Sequence, residues 1–101
     1  MSINKYELTV LYDTEADLVE ELDKVKKIIK ENGGKILKEQ NEGKKRLAYT
    51  IMGKDYATYY YIDIELEDSK AVSISSRLNI EESILRYLLV RVTSNGVYFE
   101  S

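Results

Sequence analysis

Three consecutive cations, Lys44, Lys45 and Arg46, stand directly before an alternating apolar segment that runs to Ile51. Ammonium and guanidinium groups clustered in this way neutralise phosphates and release counterions, which supplies the sequence-independent part of RNA affinity. Short basic runs are also typical of solvated loop ends that keep a protein soluble. The spacing leaves both interpretations open, and the first of them predicts a phosphate-binding site at the start of a strand.

The composition excludes most other chemistry. None of the 101 residues is Cys or His, so thiol nucleophiles, imidazole catalysis and the usual zinc sites are excluded. Carboxylates, Lys, Tyr and hydroxyl groups remain, and catalysis by them would require a specific buried arrangement. We therefore predict that the protein is not an enzyme, that it holds no metal or cofactor and that it has no small-molecule substrate.

Charge is unevenly distributed along the chain. The formal net charge is −3, although a basic domain is the usual signature of a nucleic-acid-binding protein. Acidic residues crowd positions 13–23, while the cationic run lies at 44–46, so local placement matters more than the sum. No apolar run approaches the roughly 20 residues that span a bilayer, and residues 1–5 lack the apolar core of a secretory signal. A cytoplasmic protein without a membrane partner is expected.

Hydrophobic periodicity predicts six elements in the order strand, helix, strand, strand, helix, strand. Their expected ranges are 6–12, 13–32, 35–51, 57–66, 68–79 and 84–92. Asp13 or Thr14 is expected to cap the first helix, Asp68 or Ser69 the second, and Gly33-Gly34 to end the first.

The pattern breaks in two places near the cationic run. Around 41–43 a bulge or bend is expected in the second strand, and Gly53-Lys54-Asp55 is expected to form the following turn. The element order is that of an α+β, ferredoxin-like sandwich, in which a four-stranded antiparallel sheet carries both helices on one face. We expect a single domain over 1–101, with its core at about 5–92 and a short C-terminal tail at 93–101.

Two further cations lie in the last strand. Arg86 and Arg91 are separated by an odd number of residues and should therefore face opposite sides of the sheet. A guanidinium suits phosphate recognition and base stacking, but it is also common on an exposed sheet face or at a strand end. The apolar and aromatic neighbours of Arg86 favour a function there, and Arg91 stays open between the two interpretations.

The run Tyr59-Tyr60-Tyr61 resembles the aromatic positions on which RNA-recognition sheets stack bases. The glycine- and aromatic-rich signature of that motif is absent, however. Alternation instead predicts Tyr60 in the core, and it predicts that Tyr59 and Tyr61 cover the open sheet face or meet a protein partner.

Three segments together resemble the bacterial small-subunit ribosomal protein S6 family. They are the opening 5–8, the stretch 43–51 with Leu47-Ala48-Tyr49 as its most specific triplet, and the final 84–91. The resemblance covers the chain from Lys5 to Arg91, and the family has the same element order. Thr50 stands where the family usually has Pro, and because Thr is a good strand residue this departure does not threaten the fold.

The resemblance implies a structural protein of the small ribosomal subunit. Members bind the central domain of small-subunit ribosomal RNA as a heterodimer with ribosomal protein S18. The positions it implies for RNA contact are Lys5, Lys44, Lys45, Arg46 and Arg86. Arg91 is added as a further candidate from its place in the last strand. The face expected to meet the protein partner lies along the edge of the second strand and the open sheet face and contains Leu47, Tyr49, Tyr59 and Tyr61.

One interpretation from another class stays open. Many unrelated proteins share this fold, among them regulatory domains that dimerise through the open sheet face and bind a small metabolite. Such a domain would carry a Gly- or Asp-rich ligand loop after the first strand. Here that position reads Tyr12-Asp13-Thr14-Glu15, which is typical of a helix start and does not favour this alternative.

Overall fold

The computed structural model describes residues 3–92 and 98–100 and places five antiparallel strands in one sheet. The elements are β1 (Ile3–Tyr12), α1 (Leu18–Glu31), β2 (Lys35–Ile51), β3 (Lys54–Glu67), α2 (Ala71–Leu78), β4 (Ile84–Arg91) and β5 (Tyr98–Glu100). The sheet order is β2-β3-β1-β4-β5. The predicted ferredoxin-like architecture is therefore confirmed for the first four strands. The sequence analysis missed β5, which pairs with β4 in what was expected to be a tail; residues 93–97 and 101 of that tail lie outside the described part.

Alternating side chains of the central strands form the core against both helices. Leu8 and Ile62 are directly opposite each other in the β1–β3 register and are fully buried. The helices contribute Val25, Ile29 and Ile74 to the same cluster. Because one face of the sheet takes up both helices, the other face is left open. Neither helix in the described ranges has the length and apolarity that crossing a membrane requires.

The two helices begin differently from the prediction. Asp17, not Asp13 or Thr14, caps α1, and its carboxylate accepts a hydrogen bond from the Glu20 amide at 3.3 Å. Asp13 instead accepts one from the Glu15 amide at 3.0 Å, so it serves the preceding turn. A 3₁₀ turn at Asp68–Lys70 precedes α2, which has no side-chain cap among the described contacts, so neither Asp68 nor Ser69 acts as predicted.

Helix α1 stops where the sequence predicted. The Gly33 amide donates to the Lys30 carbonyl at 3.0 Å, and the Gly34 amide donates to the Ile29 carbonyl at 2.9 Å. This pair of hydrogen bonds is a Schellman motif, which requires a left-handed residue just past the helix. Gly33 supplies it with a φ of +76°. The motif turns the chain directly into β2.

Strands β2 and β3 form a long hairpin that extends beyond the neighbouring strand. Pairing between β1 and β3 ends at Tyr12 opposite Thr58, so the hairpin residues past that point have no third strand beside them in the described chain. Met52 and Gly53 form the turn with φ of 49° and 77°, one residue earlier than predicted. The expected bulge is present, since the register shifts between Asn41 and Gly43.

Candidate nucleic-acid interface

The predicted cationic cluster lies on the projecting part of β2, at the edge of the sheet. Lys44, Lys45 and Arg46 are all exposed. Because successive strand residues face opposite sides, Lys45 is separated from the other two. Its ammonium lies 5.4 Å from the centre of the Tyr59 ring, on the open face, whereas the Lys44 ammonium lies 4.9 Å from the Tyr56 ring. The run is thus a positive edge with cations on both sides of the hairpin.

Arg86 joins this region through the sheet register. It lies opposite Leu11, which in turn lies opposite Tyr59, so Arg86 and the hairpin share one end of the sheet. Its Nη1 donates to the Tyr49 hydroxyl at 2.8 Å, and its guanidinium carbon lies 5.8 Å from the centre of that ring. We call these four cations with Tyr49 the hairpin patch: Lys44, Lys45, Arg46, Arg86 and Tyr49. Residues 37 positions apart in sequence therefore form one surface.

A small apolar cluster supports the hairpin patch on the open face. Leu47, only 8% exposed, packs with Leu11, Ala57 and Leu85. Tyr59 packs against this cluster and is half-buried. Leu47 therefore supports the predicted partner face from below.

The other members of that face are more accessible. Tyr49 is 63% exposed, and Tyr61 is half-buried on the open face. Tyr49 lies on β2, and Tyr59 and Tyr61 lie on the neighbouring strand β3. Strand β2 is an edge strand, as predicted for partner docking. The assignment of these residues to a partner stays a prediction.

Lys5 and Arg91 lie away from the hairpin patch. Lys5 is exposed on β1 opposite Glu65, six residues from Leu11, which corresponds to about 20 Å along the strand. Arg91 lies opposite Tyr6 on the helix side, so the predicted placement of Arg86 and Arg91 on opposite faces holds. The structure thus brings together four of the six predicted RNA-contacting cations and leaves two at the other end of the sheet.

The Arg91 guanidinium forms an ion pair with the Asp68 carboxylate. Arg91 Nη1 donates to Asp68 Oδ2 at 3.0 Å, and the Tyr6 hydroxyl donates to Oδ1 at 2.7 Å. Asn4 Nδ2 also donates to this carboxylate, at 3.0 Å. The predicted helix cap is therefore the centre of a network that joins β1, β4 and the start of α2.

This network predicts an acid-dependent loss of stability. The hydrogen bond from Tyr6 is the largest cause that holds the pKa of the Asp68 carboxyl below its usual range, and Arg91 acts in the same direction. A carboxyl with a lowered folded-state pKa stabilises the fold above its unfolded pKa of about 4, and this stabilisation is lost as the pH falls through the folded-state value. We expect Asp68→Asn to flatten the dependence of melting temperature on pH below about 5. An unchanged acid dependence in the variant would contradict this assignment.

Tyr56 was missed by the sequence analysis. It shares a strand face with Thr58 and Tyr60, and this alternation indicates a core position. Tyr60 is indeed buried, but Tyr56 is 44% exposed because the hairpin has passed β1 at this point. Only its position beside a turn and a basic run could have indicated exposure.

A family model and individual relatives match this chain, and all of them point to the same family. The model of the family described as Ribosomal protein S6 matches residues 5–91. The small ribosomal subunit protein bS6 of Corynebacterium aurimucosum is 35% identical over 92 residues, covering 88% of this chain and 96% of that protein. The bS6 protein of Fusobacterium nucleatum is 33% identical over 95 residues, covering 88% of this chain and 98% of that protein.

A solved structure agrees in fold. The crystal structure of 30S ribosomal protein S6 from Thermotoga maritima superposes with a TM-score of 0.82 at 23% identity, covering 89% of this chain and 88% of that one. These matches confirm the resemblance drawn from the sequence, and with it a structural, non-enzymatic role in the small ribosomal subunit of the bacterial cytoplasm. The chain belongs to the ribosomal protein S6 family.

Proposed function

We propose that this protein binds small-subunit ribosomal RNA through the hairpin patch and does so as a heterodimer with ribosomal protein S18. The observation that carries the proposal is the position of Arg86 beside the hairpin cations. A chain of net charge −3 gathers four exposed or half-exposed cations at one end of its sheet. Such a local concentration of positive charge is what phosphate neutralisation requires. It would orient the protein on RNA in spite of the negative net charge.

The contacts of the hairpin patch support phosphate and shape recognition over base reading. Its cations lie on both sides of a projecting two-stranded ribbon, so the ribbon can follow a phosphate backbone without a defined set of base-edge partners. The Tyr49 hydroxyl holds Arg86 at the border of the hairpin. This contact reduces the rotamer freedom that the guanidinium would lose on binding RNA.

We propose Lys5 and Arg91 as a separate contact region at the opposite end of the sheet. Lys5 is exposed and free to meet a phosphate from the open face. Arg91 would approach RNA only with its Asp68 ion pair retained, because its guanidinium is already bound there.

The S18 partner is proposed for the β2 edge and the adjoining open face. The outer edge of β2 pairs with no other strand in the described ranges, and such an edge offers unpaired backbone groups to another chain. Tyr59 and Tyr61 line the neighbouring face, with Leu47 and its cluster beneath. A partner bound there would leave Lys44 and Arg46 accessible to RNA on the other side of the hairpin. Lys45 and Arg86 would then lie at the border between the partner and the RNA.

A gel shift tests this proposal. The probe is the central domain of small-subunit ribosomal RNA, incubated with this protein alone, with S18 alone and with both. A shift that requires both proteins is the expected result, because a modest patch on an acidic chain would be combined with the surface of its partner. If folded S18 is present and no lane containing this protein shows a shift beyond that of S18, the proposal is wrong and metabolite binding by a homodimer should be tested.

A further inference from the structure

We propose that Tyr56, flanked by Lys44 and Arg46, is a stacking site for one unpaired nucleotide of RNA. The inference rests on the proposed RNA-binding function and adds to it the chemical form of the ligand. Phosphate contacts alone do not distinguish paired from unpaired RNA, whereas an aromatic ring can stack only on a base whose face is accessible.

The strand register places the Tyr56 ring beside two cations of the neighbouring strand β2. Tyr56 lies opposite Arg46 in the β2–β3 register, and Lys44 lies on the same side two residues away. The Lys44 ammonium is 4.9 Å from the ring centre, within cation–π distance. Both cations are exposed, and Tyr56 is 44% exposed. A base stacked on the ring would therefore have its own phosphates beside two positive charges.

The other tyrosines near the hairpin patch make contacts within the protein. The Tyr49 hydroxyl accepts a hydrogen bond from Arg86, and Tyr59 packs against the apolar cluster under Leu47. Tyr60 is buried, and its hydroxyl donates to Glu39 at 2.8 Å. Tyr56 combines an exposed side chain with two exposed cations on the neighbouring strand, which favours it for stacking.

An unpaired nucleotide fits this site better than a protein side chain. A protein partner that covered Tyr56 would also take Lys44 and Arg46 out of water and would need a carboxylate for each. A nucleotide brings its phosphates with the base, so one ligand satisfies both the ring and the cations. Stacking tolerates any base, which agrees with the lack of a base-specific motif in the sequence.

The absence of Trp from the sequence allows a direct test. Tyr56→Trp introduces a single tryptophan whose emission a stacked base would quench, and Tyr61→Trp on the open face of the same strand is the matched control. Each variant is titrated with a single-stranded oligouridylate of about ten nucleotides and with an RNA duplex of equal length, at low salt. We expect quenching only for Tyr56→Trp and mainly with the single strand.

A second variant measures the contribution to affinity. Tyr56→Leu should weaken oligouridylate binding about tenfold and leave duplex binding unchanged, while Tyr56→Phe should retain the affinity of the wild type. Equal losses for both RNAs, equal quenching at positions 56 and 61, or no binding of oligouridylate would each overturn the stacking site. Emission at position 56 that responds to S18 and not to RNA would assign the ring to the protein partner. The outcome of the gel shift with ribosomal RNA does not depend on these results, so it tests the proposed function separately.

Discussion

Replacing Lys44, Lys45 and Arg46 together by Ala should lower RNA affinity about 100-fold near 0.1 M salt and reduce the slope of log K against log salt by about 2 to 3. Each phosphate contact releases condensed counterions and adds a fixed amount to the slope of log K against log salt. The loss of three contacts therefore removes three such contributions from the slope. The loss should be similar for RNAs of different sequence, because the proposed contacts are to phosphates. Affinity measured at several salt concentrations, for the proposed complex with S18, checks this result.

A control variant that loses the same charge elsewhere distinguishes the effect of the hairpin cations from the effect of net charge. Lys24, Lys27 and Lys30 are exposed on α1, so their replacement by Ala changes the net charge by the same amount away from the hairpin. We expect this variant to retain nearly all of the slope. An unchanged slope in the hairpin variant would exclude its three cations from the interface, and equal changes in both variants would mean that only net charge matters.

Gly34→Ala should lower the free energy of unfolding by about 2–3 kcal/mol, because overpacking a closed site forces its neighbours to move. A Cβ at this position would lie 2.6 Å from Ile29 Cγ2 and 3.0 Å from the Ile29 carbonyl oxygen. That oxygen accepts the hydrogen bond from the Gly34 amide in the Schellman motif, so it cannot retreat without opening the helix end. Denaturant unfolding of the variant measures the effect.

Gly33→Ala is the matched control for this substitution. A Cβ on Gly33 would meet nothing within 4 Å among the described atoms, so the cost there comes only from the left-handed φ of +76°. We expect about 1 kcal/mol for that change. If Gly33→Ala destabilised the protein more than Gly34→Ala, the close packing of Gly34 against Ile29 would not be the reason for glycine at position 34.

The local pattern of the sequence was sufficient for the element order and the core faces. Alternation in Tyr60, Ile62 and Ile64 indicated one buried strand face, and the structure confirms it. Gly33 marked the helix end correctly because only glycine adopts a left-handed cap at little cost. Both features depend on residues that are close in sequence, so composition and periodicity reveal them.

Two of the errors in the prediction share one physical cause. Asp68 carries a capping residue type at a capping position, yet its carboxylate is engaged by Arg91 and Tyr6 from two distant strands. The strand β5 was missed because its pairing with β4 follows a segment whose pattern indicated a tail. In each case a long-range contact overrode a local preference.

The sequence by itself determined a positively charged edge, a ferredoxin-like order of elements and the resemblance to the S6 family. Only the tertiary structure decided which cations act together. Strand register brings Arg86 to Tyr49 and leaves Lys5 and Arg91 at the far end, and the length of the hairpin beyond β1 exposes Tyr56. Register and projection depend on hydrogen bonds between residues dozens of positions apart, and a local pattern cannot encode which of those partners meet.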